Sequence, residues 1–408
     1  MNVLVVNAGS SSLKYQLFDT ANKVVVAKGI CEKIGINGEG TIGAFSHKNL
    51  LTGKEYRAEL PMANHTVATK YVVDALLNPE YGCVKNMDEI EAVGHRIVHG
   101  GSYFSESVLL DQEVLAKLEL CRDLAPLHTG AHIQGIEGCL EVMPDTPQVL
   151  VFDTAFHQTM PPEAYMYGVP YEMYEKYAVR RYGAHGTSHR YVAGEMQKIL
   201  GRVEGTKIIT CHLGNGSSIS AVKDGRVMDT SMGFTPLAGV IMGTRCGDMD
   251  PAIVPFIMNK KNFTPDEMNE YMNKQCGFLG VSGVSSDCRL IEAAIAEGNE
   301  RAKLALHMLG YQVKKFIGAY AAAMDGVDAI VFTAGIGENT PSVRELACTG
   351  LSYLGVEFDT EANRSVARPI QTTRLSLPTS RVKVYLIPTN EELVIASDTE
   401  AIVSALKK

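Results

Sequence analysis

The chain has no tryptophan, no Cys-x-x-Cys pair, and no apolar run near the roughly 18 residues that cross a bilayer. The missing tryptophan excludes nothing. The missing apolar run reads against a membrane partner. The nine cysteines are scattered and odd in number, so they make neither a disulfide framework nor a zinc site. They read as reduced thiols, which places the protein in the cytoplasm. Positive charge is also in short supply. Thirty-eight Lys and Arg against 46 Asp and Glu leave a net charge of −8, which reads against nucleic-acid binding but allows a locally positive cleft. No basic stretch or cleavage site precedes the first strand, so no secretory leader is expected. What remains is an ordinary globular composition, 46% hydrophobic and 21% charged, over 408 residues, enough for two or three domains.

The chain is organised around Ile208 to Gly225, IITCHLGNGSSISAVKDG. It reads as a buried strand to Cys211, a glycine-rich turn over His212 to Ser218, and a second strand ending at the Asp224-Gly225 hairpin signal. Backbone N–H groups on residues with almost no side chain can wrap an anion closely, and phosphate is the common one. The same construction opens the chain, where VLVVNAGSSSLKYQLF places Asn7-Ala8-Gly9-Ser10-Ser11-Ser12 between two apolar strands. The two turns lie about half the chain apart. A strand–turn–strand repeated at that distance predicts two similar domains, each presenting a phosphate-binding hairpin.

Residues 2–7, 13–18 and 23–30 read as three successive strands. Helices are expected at 66–77, from Asp111, and at about 130–143, and a buried strand ends at Asp153. An antiparallel start followed by alternating helices and strands predicts an α/β fold of ribonuclease-H-like layers. The first domain would comprise residues 1–152 plus about 388–408, and the second 153–387, with a cleft between them. In the second half, Thr187-Ser188 reads as a helix N-cap. Residues 233–251 form a long Gly/Pro-rich loop carrying Arg245. Helices follow at about 252–259, 264–275, 287–297 and 300–324. DAIVFTAGIGENT reads as another strand leading into a glycine turn, and a last helix starts at about Asn390.

Chemically useful residues gather at strand ends and in glycine loops: Arg96, His128, Asp153, His185, His212, Arg245, Gly335 to Asn339 and Glu391. Ligands collect at the strand ends of open α/β sheets, so the placement is coherent. His95/His99, His128/His132 and His185/His189 share an i,i+4 spacing. That spacing converges on a metal only within a helix, two of the pairs cross a strand or glycine turns, and no His-Glu-x-x-His is present. His132 and His189 therefore read as packing or helix-surface residues. Glycine loops, basic groups and a few carboxylates together suit phosphoryl transfer, which needs charge neutralisation more than covalent chemistry.

Taken in order, NAGSSSLKY (7–15), GHRIVHGG (94–101), VFDTAFH (151–157), YGAHGTSH (182–189), CHLGNGSS (211–218), TRCGDMDP (244–251), AGIGEN (334–339) and TNEE (389–392) resemble the acetate kinase family across nearly the whole chain. The resemblance implies the acetate and sugar kinase/Hsc70/actin fold, a homodimer, and reversible transfer of the ATP γ-phosphoryl to acetate with Mg²⁺ or Mn²⁺. It implies that Arg96 and Arg245 hold the carboxylate and the moving phosphoryl, that His185 stabilises the transition state, and that Asp153 is a catalytic acidic residue. His212, Leu213, Gly214, Asn215, Gly216, Asp287, Cys288, Arg289, Gly335, Ile336, Gly337, Glu338 and Asn339 would bind ATP. Asn7 and Glu391 would serve the metal, and Val98, Leu127, His128, Ala184 and Pro236 the acyl group.

A carboxylate acceptor ionises near pH 4.3, roughly as Glu does, so no strong general base is required and Asp153 reads as orienting or metal-related. Two departures stand out. Ala184 occupies a position where the family usually has Phe, which predicts a wider acyl pocket and easier acceptance of propionate. His128-Thr129-Gly130 replaces the usual His-Asn-Pro. A propionate or butyrate kinase is the nearest alternative. A sugar kinase would need a base and polar sugar contacts, against which Val98, Leu127 and Pro236 argue. An actin- or Hsp70-like ATP switch would need the hairpins but not Arg96, Arg245 and His185.

Overall fold

The computed structural model describes residues 1–126, 128–368 and 370–406. The chain forms two compact units, Met1–Ala155 together with the segment from Asn390 onward, and Phe156–Thr389.

Among the described residues the first unit is built on eight strands: β1 (Asn2–Gly9), β2 (Ser12–Asp19), β3 (Val24–Glu32), β4 (Ile42–Asn49), β5 (Glu55–Pro61), β6 (Ala92–Ile97), β7 (Val108–Leu109) and β8 (Gln148–Phe152). They lie in the order β5-β4-β3-β2-β1-β6-β8-β7. Strands β1 to β5 form an antiparallel meander, whereas β1, β6 and β8 run parallel. The described strands of the second unit are β9 (Lys207–Leu213), β10 (Ser217–Lys223), β11 (Arg226–Thr230), β12 (Ala329–Thr333), β13 (Thr373–Arg374) and β14 (Lys383–Leu386). Their order is β11-β10-β9-β12-β14-β13, with β9, β12 and β14 parallel. Each sheet thus repeats one plan: an antiparallel hairpin pair, three parallel strands and a two-residue antiparallel edge strand. Strands β4 and β5 are an addition to the first sheet.

The parallel strands are largely apolar because both of their faces are covered. Leu4, Val6 and Val93 pack under the helices His65–Leu77 and Thr129–Val142, while Val3, Val5, Val149 and Val151 pack against Ile395, Ala396 and Val403 of the C-terminal helix Glu391–Leu406. In the second unit Ile209, Cys211, Ile330 and Phe332 face the helix Glu300–Ala323. Ile208, Ala329 and Val331 face Val192, Ala193 and Met196 of the helix Gly186–Leu200. Edge strand β5 instead alternates exposed and half-buried residues.

Helix starts follow capping chemistry. The side chains of Asn64, Asp111 and Asn299 each accept a backbone N–H of the first turn, and Thr264 forms a capping box with Glu267. Three expectations change. Thr187-Ser188 is not an N-cap. The helix starts at Gly186, after His185 in the left-handed region at φ 60°, and Ser188 is buried with its Oγ 2.7 Å from His212 Nδ1. The phosphate-type turn is shorter than His212 to Ser218. Strands β9 and β10 extend to Leu213 and from Ser217, leaving only Gly214-Asn215-Gly216 between them. AGIGEN is not an open turn but a short helix, Ala334–Asn339.

The C-terminal helix reaches β6 closely because Gly94 lacks a side chain. A Cβ there would meet Thr399 Oγ1 at 2.4 Å and Ile395 Cγ2 at 2.8 Å. Gly94→Ala is expected to destabilise the protein by about 1–3 kcal/mol through overpacking, read from the urea midpoint. An unchanged midpoint would show that the helix docks without this close approach.

Candidate active site

In the first unit, Arg96 is near the end of β6 and Asp153 follows β8. The two strands are parallel neighbours, with Ile97 opposite Phe152, and Asp153 N–H donates to Ile97 O at 2.8 Å. This register brings the two side chains together. Arg96 Nη2 donates to Asp153 Oδ2 at 2.8 Å and Nε does so at 3.2 Å. Asp153 is 2% exposed. Glu391, at the start of the C-terminal helix, places Oε2 3.6 Å from Arg96 Nη2. Asp153, with Glu391 second, holds the guanidinium still further above its ordinary range, against the opposing effect of burial.

Val98 follows directly. Its N–H donates to His132 Nε2 at 3.2 Å, so the i,i+4 partner of His128 is a backbone anchor. Burial first, and then His128, push the His132 pKa down to about 3, which keeps the ring neutral. His95 packs against Gln148, Nε2 to Oε1 at 2.7 Å. Asn7 lies opposite Lys14 near the end of β1, and His128 is exposed just before the helix Thr129–Val142. Leu127 lies outside the described residues.

In the second unit a cavity of ≈ 610 Å³ is lined by Gly214 and Asn215 after β9, Asp287 to Arg289 at a helix start, and Gly335, Ile336 and Asn339 after β12. Three segments far apart in sequence therefore meet. Thr340, which ends the DAIVFTAGIGENT stretch, also lines it, as do Ser286, Glu292 and Arg368, to which no sequence motif pointed. Asp287 accepts Arg289 N–H as N-cap, and its side chain pairs with the Arg289 guanidinium, which lowers its pKa to about 2.

Other expected nucleotide residues lie elsewhere. Leu213 is fully buried in the core, so only its backbone is available. Gly337 packs on β9, where a Cβ would lie 3.7 Å from Cys211 O. The Glu338 carboxylate folds back on its own helix and accepts Ala334 N–H at 2.9 Å. Arg344, fully buried, donates to Gly337 O at 2.8 Å and Glu338 O at 3.1 Å, fixing the end of that helix. No local signal pointed to this, because Arg344 stands outside every motif.

His212 stacks on His185, with ring centroids 4.0 Å apart. The loop at 233–251 is pinned to the glycine turn: Gly243 N–H donates to Asn215 O at 3.1 Å, and a Cβ on Gly243 would overlap the Asn215 amide. This attachment carries Arg245 to the turn. A Cβ on Gly216 would lie 3.4 Å from His185 Nε2 and 3.5 Å from Arg245 Nη1. The structure thus gathers Gly216, His185 and Arg245 at one point. Arg245 Nη1 also donates to Pro236 O at 3.0 Å, and burial lowers its pKa without threatening its charge. Ala184 does not border open space within this unit. It is 5% exposed and clusters with buried Met232 and Met242.

Two ribonuclease-H-like layers, each with a Gly/Asn/Ser hairpin turn at the head of its sheet, define the actin/Hsp70-like fold. The acetokinase family model matches residues 2–397. An acetate kinase of Desulfitobacterium hafniense is 55% identical over 401 residues, 98% of each chain. One from Caldanaerobacter subterraneus is 55% identical over 410 residues, 100% of each. Among solved structures, Porphyromonas gingivalis acetate kinase superposes with a TM-score of 0.93 at 47% identity, covering 98% of this chain and 99% of that one. A Francisella tularensis propionate kinase superposes with a TM-score of 0.89 at 39% identity and the same coverage. The chain belongs to the acetokinase family.

His95, His99 and His132 of the first unit are buried, and burial holds their pKa values near 4, 4 and 3. Unfolded, they would titrate at about 6.5. Between those values the unfolded chain binds more protons, so stability falls as pH drops from about 6.5 to about 4, by about 1.4 kcal/mol per pH unit for each histidine. The urea midpoint should follow this slope, and His95→Gln should reduce it by about one proton. A midpoint flat across the window would refute the assignment.

Proposed function

We propose that the protein catalyses reversible transfer of the ATP γ-phosphoryl to acetate, giving acetyl phosphate and ADP. The observation that carries this reading is the meeting of His185 Nε2 and Arg245 Nη1 at Gly216, beside the Gly-Asn-Gly turn, in a chain of the acetokinase family. The roles follow from charge. The acceptor is already an anion at neutral pH, so the obstacle is repulsion between two anions. Arg96 takes the carboxylate, presenting a planar fork whose orientation is set by Asp153. Arg245 and His185 take the charge of the moving phosphoryl. The cavity of the second unit takes the nucleotide. Asp153, already bonded to Arg96, acts by orienting that arginine.

Among the described residues no group of three or more His, Cys, Asp and Glu converges as a metal site. Mg²⁺ does not need one, because it keeps waters and takes one or two carboxylates plus phosphate oxygens. Glu391 would supply one carboxylate and Asn7 an amide oxygen. When bound, the ion would neutralise phosphate charge. No helix among the described residues is long and apolar enough to cross a membrane. A cytoplasmic homodimer is the setting we assign.

Incubation with ATP, Mg²⁺, acetate and hydroxylamine should yield acetyl hydroxamate, with the signal lost on chelation. Asp153→Asn should lower turnover by at least about tenfold, since a buried charge pair is broken. Full activity in this variant would remove Asp153 from the set, and no hydroxamate from the unaltered protein would overturn the reaction.

Propionate is a second acceptor. The chain resembles a propionate kinase structure, and Ala184 stands where the family usually has Phe. Met232 and Met242 occupy the space around Ala184, but unbranched thioether chains rearrange easily. The discrimination against one extra methylene should therefore be weak. Ala184→Phe is expected to lower the propionate-to-acetate ratio of kcat/KM by about tenfold, the lower end for one methylene. An unchanged ratio would exclude Ala184 from acyl selection.

A further inference from the structure

A line of hydrogen bonds runs from the interior of the second sheet to His185. Thr210 Oγ1 is 2.7 Å from His189 Nδ1, His189 Nε2 is 2.7 Å from Ser218 Oγ, and Ser218 Oγ is 2.8 Å from His185 Nδ1. Thr210, His189 and Ser218 are all fully buried. Burial first, then His157 and His212, hold the His189 pKa well below its ordinary value, so this ring is neutral. At the other end, His185 Nε2 faces the point that Gly216 and Arg245 Nη1 share.

A neutral imidazole carries one N–H, and its position depends on what the other nitrogen meets. His185 can then donate to an anion at Gly216 only if the proton is on Nε2, which requires Nδ1 to accept. Ser218 O–H supplies that bond. Ser218 Oγ in turn accepts from His189 Nε2–H, and His189 Nδ1 accepts from Thr210 O–H. Every proton in this polarity lies in a bond of 2.7 or 2.8 Å. The reverse polarity sends the Thr210 proton to Ser220 O at 3.4 Å and turns a lone pair of His185 toward the anion.

We propose that His189, acting through Ser218, is a positioning residue that fixes His185 with its proton on Nε2, aimed at the transferring phosphoryl. The inference rests on the reading of His185 as the group that meets that phosphoryl.

The test is a long-range ¹H–¹⁵N correlation spectrum of the intact, histidine-labelled protein, about two pH units above the ordinary imidazole pKa. Signals are assigned by their loss in His185→Gln and His189→Gln. Both rings should show the Nε2–H pattern. In Ser218→Ala the His185 signals should shift toward a mixture of tautomers. The kcat of that variant should fall by about tenfold or more, with both KM values within about twofold. An Nδ1–H pattern on His185 in the unaltered protein overturns the proposal, and this reading does not depend on any variant folding. So does a Ser218→Ala protein with mixed tautomers and full kcat. A His185→Gln protein with full turnover would instead overturn the role of His185 itself, whatever the tautomer.

Discussion

A strand covered on both faces by helices has room for polar side chains chiefly where it ends. This constraint organises both units. Strands β1, β6 and β8 are apolar through their middles, and Asn7, Arg96 and Asp153 occur at or just past their ends. Strands β9 and β12 behave alike, releasing Gly214-Asn215-Gly216 and the short helix Ala334–Asn339. Because the three central strands of each sheet are parallel, those ends lie side by side. Groups at those ends therefore converge without long loops, whereas Arg245 is carried to the turn by the loop at 233–251.

One place where polar groups enter the layer is instructive. Thr210, Ser218, Ser220 and His189 are fully buried, and each has a hydrogen-bond partner. A buried polar group without a partner costs about 1–3 kcal/mol, so such a line persists only if it is satisfied along its length. It ends at His185, whose left-handed backbone at φ 60° is itself uncommon for a residue other than glycine. Rigid support ending at one ring is what a group requires if it must meet charge that develops only briefly.

Much of the architecture was legible in the residues. Apolar runs broken by Gly, Asn and Ser marked β1 and β2, and β9 and β10, and their repetition indicated a duplicated layer. Asp111 and Thr264 announced helix starts through side-chain chemistry that acts within four residues. Legibility stopped where a distant partner took over a local signal. Ser188 looks like a cap but is bonded to His212. Glu338 looks like part of a ligand loop but folds back on Ala334. In each case a local rule lost to a partner contributed by another element.

The order of the motifs by itself determined the family and the chemistry, because phosphate turns, arginines and histidines are chemical types that do not depend on packing to be recognised. Packing alone decided which of them meet. The register of β6 against β8 pairs Arg96 with Asp153, and the space left by Gly243 lets Arg245 reach the Gly-Asn-Gly turn. Arg344 took on its task only when the fold buried it against the carbonyls of Gly337 and Glu338. The physical reason is range: capping, turn and strand signals act over a few residues, whereas these contacts are made by whichever side chains the finished layers bring within about 3 Å of one another.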